Sequence, residues 1–125
     1  MSERALTLDL PGADLPGAGD PVITDVIAGA LSSIDSSLPG ASSQAGGTLG
    51  IEAGADQVLL ILVDGLGYEL IQDHLGHTPT LRRVRDDIRS IHTVVPSTTA
   101  AAITAFGTGA RPGATNMVGF SVAYG

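Results

Sequence analysis

Six apolar residues follow one another without a polar break at 58–63 (VLLILV), and the run stops at Asp64-Gly65. A run of that length, closed by a turn signal, predicts a strand buried on both faces of a parallel sheet. A second apolar stretch, 91–95 (IHTVV), predicts another strand. It ends in Pro96-Ser97-Thr98-Thr99 and leads into the Ala-rich segment 100–106, read as a helix that stops at Gly107-Thr108-Gly109. Between the two strands, 68–75 predicts a short helix with Leu70 and Ile71 apolar. Thr78 as N-cap and Pro79 at the first helical position open a further helix, with Leu81 and Val84 as its buried stripe. Arg82, Arg83, Arg85, Asp86 and Asp87 fall on its wet face. Arg111-Pro112-Gly113 marks a turn, and 117–123 reads as the approach to a third strand.

The first half of the chain carries a different pattern. Residues 1–21 hold Pro11, Pro16 and Pro21 with a small apolar patch at Leu6, Leu8 and Leu10, which predicts an extended arm with an edge strand. In 21–33 the residues Val22, Ile23, Val26, Ile27, Ala30 and Leu31 recur at helical spacing. Asp20 is placed to cap that helix and Pro21 to start it. Residues 36–57 are mostly Ser, Gly and Ala, without a phosphate-binding glycine motif, and read as a linker. The chain thus divides at 57/58 into an acidic arm, helix and linker (1–57) and a strand-bearing part (58–125). The fold class expected is α/β: a partial parallel sheet flanked by helices, incomplete at the C-terminus. Two or three parallel strands leave an apolar face without cover, which implies either an oligomer or the front portion of a longer enzyme.

Composition narrows the options. Hydrophobic residues make up 43% of the chain but aromatics only 3%, so a core has to be built from Ala, Val, Ile and Leu. The net charge of −7 belongs wholly to 1–57, where eight acids face one arginine, whereas 58–125 balances five acids with five arginines. No basic field exists to hold a nucleic-acid backbone, so nucleic-acid polymers are not expected as partners. The absence of cysteine excludes disulfides and thiolate metal sites. The apolar runs are too short for a membrane span and the N-terminus lacks a secretory h-region, so the expectation is a cytoplasmic protein with no membrane partner.

Two residues stand out chemically. In open α/β sheets the working groups lie just beyond the carboxyl ends of the strands, where Asp64 falls after the first strand and Thr99 after the second. A threonine hydroxyl is a weak nucleophile that a divalent metal can activate without an adjacent base. The start of a helix offers unpaired N–H groups to a phosphate, and Asp64 offers an anionic oxygen to the same metal. Each residue also has a plain structural role: Ser97 or Thr98 as a helix cap, and Asp64 as a turn residue. His74 and His77 near a helix end, and His92 inside a strand, are weaker metal-ligand candidates.

The motifs of residues 58–124 (VLLILVDGLGYELI, HTPTLRRV and IHTVVPSTTAAAITAFGTGARPGATNMVGF) together resemble the type I phosphodiesterase/nucleotide pyrophosphatase branch of the alkaline phosphatase superfamily. The resemblance implies an alkaline-phosphatase-like α/β fold and hydrolysis of a small-molecule phosphate ester using two divalent ions, most simply zinc. It implies that Asp64 ligates one metal and that Thr99 is both a metal ligand and the nucleophile, forming a phosphothreonine intermediate. Thr115-Asn116 stand where nucleotide-hydrolysing members carry His-Gly, and Phe120 stands where they carry a phosphoryl-binding Asn. The family's other ligands, two Asp and three His, lie downstream of the resembling segment. On that basis this chain is expected not to complete two zinc sites and to be inactive by itself. The alternatives are phosphonate or sulfate ester hydrolysis on the same scaffold, with cysteine-type sulfatases disfavoured by the lack of Cys, or a non-catalytic α/β module that binds a partner through its sheet face.

Overall fold

The structure, a computed structural model, describes residues 15–120. Its elements are a 3-10 turn (Ile23–Asp25), α1 (Val26–Ile34), α2 (Ser43–Leu49), α3 (Tyr68–His74), α4 (Pro79–Arg83), α5 (Thr99–Thr108) and α6 (Pro112–Thr115), with two further 3-10 turns at Leu75–His77 and Arg85–Asp87. The expected arm with Leu6, Leu8 and Leu10 lies outside the described residues, as does the end of the expected third strand.

The α/β expectation is corrected: among the described residues there is no sheet, and helices are joined by irregular segments. The run 58–63 is not a buried strand. It carries no regular structure and is exposed throughout, with Leu59 at 83% and Ile61 at 77%. Hydrophobicity alone does not make a strand. A parallel ladder needs a neighbour to take its N–H and C=O groups, and no segment among the described residues pairs with this one. The second expected strand shrinks to one rung. His92 bridges Val22 in parallel, with His92 N–H donating to Pro21 O (2.8 Å) and Ile23 N–H donating to His92 O (2.9 Å).

That rung also explains why the first helix starts late. The backbone at 21–23 is committed to His92, so the chain turns through Ile23–Asp25 before α1 begins at Val26. Asp20 does not cap it; its carboxylate accepts from Gly17 N–H instead (2.7 Å).

The expected linker contains a helix. Ser42 caps α2, its hydroxyl accepting from Ala45 N–H (3.1 Å), and Gly50 closes it in the left-handed conformation (φ 69°). Gly46-Gly47 disfavour a helix by propensity, so the stabilisation comes from packing on α1. A Cβ on Gly29 would stand 3.1 Å from Gly46 N, so the two backbones meet where neither has a side chain. Ser42 N–H donates to Ala28 O (2.9 Å), and Gly54 and Ala55 N–H both donate to Ser33 O. Residues 26–55 are thereby tied down as a helical hairpin.

The core is small and made of alanine-sized parts. Ala101 and Ala105 of α5 are 1% exposed and pack with Val94, with Ile23 and Ala102 against them. This core joins the Ile23–Asp25 turn to α5 and so brings the two halves of the chain together. No helix among the described residues is long and apolar enough to cross a membrane.

Candidate functional site

The site is built at the start of α5. Thr98 is the N-cap: its hydroxyl oxygen accepts from Ala101 N–H (3.3 Å) while its O–H donates to Val118 O (3.1 Å). Both functions of that hydroxyl are used within the fold. Thr99, the first helical residue, is released from capping, and its Oγ1 faces Asp64 Oδ2 at 3.4 Å, across 35 positions of sequence. That is long for an O–H···O bond, whose usual range is about 2.5–3.0 Å. The two groups are adjacent and only loosely bonded.

Asp64 is held by the turn that ends the apolar run. Gly65 adopts φ 71°, a left-handed conformation that costs glycine nothing and other residues energy. The chain then reaches Gly67, the N-cap of α3. A cavity of about 540 Å³ opens beside the pair, lined by Asp64, Tyr68, Arg89, Ser97, Thr99 and Ile103 among others. A second cavity, of about 460 Å³, lies by Thr24, Val95 and Arg111 and includes neither Asp64 nor Thr99.

The histidines stand elsewhere. The His74 ring nitrogen Nδ1 is 2.9 Å from Leu70 O, one turn back on its own helix, and His77 is exposed. His92 Nε2 lies 3.9 Å from Asp20 Oδ2. Among the described residues no three His, Cys, Asp or Glu side chains gather as a metal-binding group. Asp64 and Thr99 fit a divalent ion as two members of a larger set. Two oxygen ligands about 2.0–2.2 Å from a tetrahedral ion lie about 3.3–3.6 Å apart, and the observed separation is 3.4 Å. Thr115 and Asn116 do not line the cavity: the Thr115 hydroxyl accepts from Met117 N–H (3.3 Å), and Asn116 takes φ 57° after α6. Phe120 is 93% exposed.

Sequence reasoning passed over Arg89. It follows the run 82–87 (RRVRDD) and reads as its last solvated charge, yet it lines the cavity with Asp64 and Thr99. No local signal marks it, since it stands only two positions beyond Asp87 at the end of that charge run.

No curated protein and no solved structure gives a significant match to the chain. A family model described as type I phosphodiesterase / nucleotide pyrophosphatase does match it, over residues 58–124. That span takes in the Asp64 turn, the start of α5 and everything between them, and it covers more than half of the 125 residues. By that match the chain belongs to the type I phosphodiesterase/nucleotide pyrophosphatase family.

Proposed function

We propose that this chain carries the nucleophile and one metal-ligand pair of a hydrolase that cleaves small-molecule phosphate esters: Thr99 attacks phosphorus, and Asp64 and Thr99 are ligands of one of two divalent ions, zinc in the simplest case. The observation that supports this most directly is the 3.4 Å approach of Thr99 Oγ1 to Asp64 Oδ2 at the mouth of a cavity. The remaining ligands come from outside the described residues. A bound divalent ion would supply a lowered pKa at the Thr99 hydroxyl and charge to offset the phosphoryl oxygens.

The chain's own residues have separable tasks. Asp64 Oδ2 faces the Thr99 hydroxyl and would share its metal, and the hydroxyl proton leaves to solvent as the nucleophile forms. Thr99 Oγ1 then bonds to phosphorus while the bond to the leaving oxygen breaks, the electron pair departing with that oxygen. Water cleaves the Oγ1–P bond in a second displacement and restores the hydroxyl. Thr98 keeps its own hydroxyl out of competition by capping, so one threonine reacts and its neighbour holds the helix. The first-turn N–H groups of α5 that Thr98 leaves uncapped favour negative phosphoryl oxygens at this end of the helix.

The test is zinc-dependent hydrolysis of an aryl phosphodiester by full-length protein that supplies the remaining metal ligands, and by its Thr99→Ala variant. Loss of the nucleophile is expected to lower kcat on the order of 10³-fold or more, with a phosphorylated Thr99 peptide trapped at short times in the unmodified protein. Equal turnover by the two proteins, or no zinc-dependent turnover by either, rules the reading out.

A further inference from the structure

Arg89 meets the rest of the molecule at an unusual place. Its guanidinium occupies the space that a side chain at Gly50 would need: a Cβ there would stand 2.6 Å from Arg89 Cζ, 2.7 Å from Nη1 and 2.8 Å from Nη2. Gly50 closes α2, the helix that lies within the Ser, Gly and Ala-rich stretch of the first half. The same arginine lines the cavity that holds Asp64, Ser97 and Thr99. Among the described residues no carboxylate lies within ion-pair reach of it, whereas Arg85 pairs with Asp86 at 3.4 Å. A long, flexible cation is thus settled on bare backbone at one side of a cavity, and among the described residues it makes no direct ion pair.

We infer that Arg89 is the anion-holding residue of this cavity, that Gly50 is kept bare to seat it, and that the ligand class is the phosphate ester with at least one full negative charge. The inference rests on the phosphate-ester reading of the cavity and deepens it, by naming what holds the charge. A guanidinium presents a planar fork of N–H donors that matches phosphate oxygens in pairs, which an ammonium cannot do. Arg89 therefore acts as a positioning residue. Asp64 and Thr99 face each other, and a charged ester between them and Arg89 has its net charge met by the one cation of the lining. The φ of 69° is what disfavours a Cβ at Gly50, and a Cβ there would also displace the guanidinium tip from its present seat. The first half of the chain, which the family match does not reach, gains a role in the site through this contact.

Calorimetric titration of inorganic phosphate into the full chain, with and without zinc, tests this. Arg89→Gln is expected to weaken phosphate binding at least tenfold, and Arg89→Lys to recover only part of the loss. Gly50→Ala is expected to weaken it too, by pushing the guanidinium aside. Gly40→Ala serves as its control, carrying the same left-handed penalty (φ 84°) with only an ordinary 3.9 Å contact nearby. Arg89 is exposed, so its variants should melt like the parent. Unchanged phosphate affinity in Arg89→Gln, or no phosphate binding by the parent chain, overturns the inference. Failure of the catalytic reading looks different: Thr99→Ala would turn over normally while Arg89→Gln still lost phosphate. The reverse pattern, an inactive Thr99→Ala with phosphate affinity unchanged in Arg89→Gln, leaves the nucleophile in place and removes Arg89.

Discussion

Two adjacent threonines, chemically alike, are set apart by one position on a helix. Thr98 sits outside the first turn, where its oxygen reaches back to Ala101 N–H, and its proton is given to Val118 O. Thr99 sits inside the turn and faces Asp64. Replacing Thr98 by Ala should cost about 1 kcal/mol, the usual worth of such a cap, with Thr98→Ser keeping most of it. Urea unfolding measures this, and equal midpoints for Thr98→Ala and the parent would show that the cap contributes nothing. At this scale the sequence is informative because caps and turns are local: the order Pro-Ser-Thr-Thr before an Ala-rich run already marks the helix start and its first residue. The approach of Thr99 to Asp64 was open only as a shared position at two segment ends. Arg89 was not legible, because its neighbour is a glycine 39 positions earlier on an unexpected helix.

Helices proved easier to read than strands. Those at Tyr68–His74 and Thr99–Thr108 lie where periodicity and the glycine stop put them, and Pro79 does open a helix. That helix ends at Arg83, though, with Val84 exposed and Thr78 donating to His74 O instead of capping, so the expected Leu81/Val84 stripe and Thr78 cap are corrected. Their evidence is contained within a few residues. Strand status is a property of a pair of segments, and the run 58–63 has no partner among the described residues to give it one. Helix α2 failed the opposite way, since Gly46 and Gly47 argue against a helix that packing then imposes. Those glycines make a matched test. At Gly47 a Cβ meets nothing within 4 Å, so Gly47→Ala should stabilise by up to about 1 kcal/mol through helix propensity. At Gly29 a Cβ would meet the Gly46 backbone at 3.1 and 3.2 Å. Backbone cannot yield as a side-chain tip can, so overpacking of about 1–3 kcal/mol outweighs the propensity gain and Gly29→Ala should destabilise. Thermal melts of the two variants should therefore shift in opposite directions; a shift in the same direction would mean that α1 and α2 are not in contact through these glycines.

For the molecule as a whole, the apolar residues are placed in an unusual way. The core is closed by Ala101, Ala105 and Val94, while the largest aliphatic side chains of 58–63 face solvent. Segments of six residues with high strand preference, no charge and no proline are those from which cross-β aggregates grow, and flanking charges restrain them. Here the two nearest charges are Asp56 and Asp64. The carboxylate that faces Thr99 is therefore placed as a gatekeeper against self-association. Asp64→Asn is expected to lose solubility, seen as faster concentration-dependent growth of thioflavin T fluorescence, while Thr99→Ala aggregates like the parent. Equal aggregation rates for the two variants would separate the roles. If the difference holds, the acid at position 64 keeps the exposed apolar run in solution whatever else it does, and an acid is expected there on colloidal grounds alone.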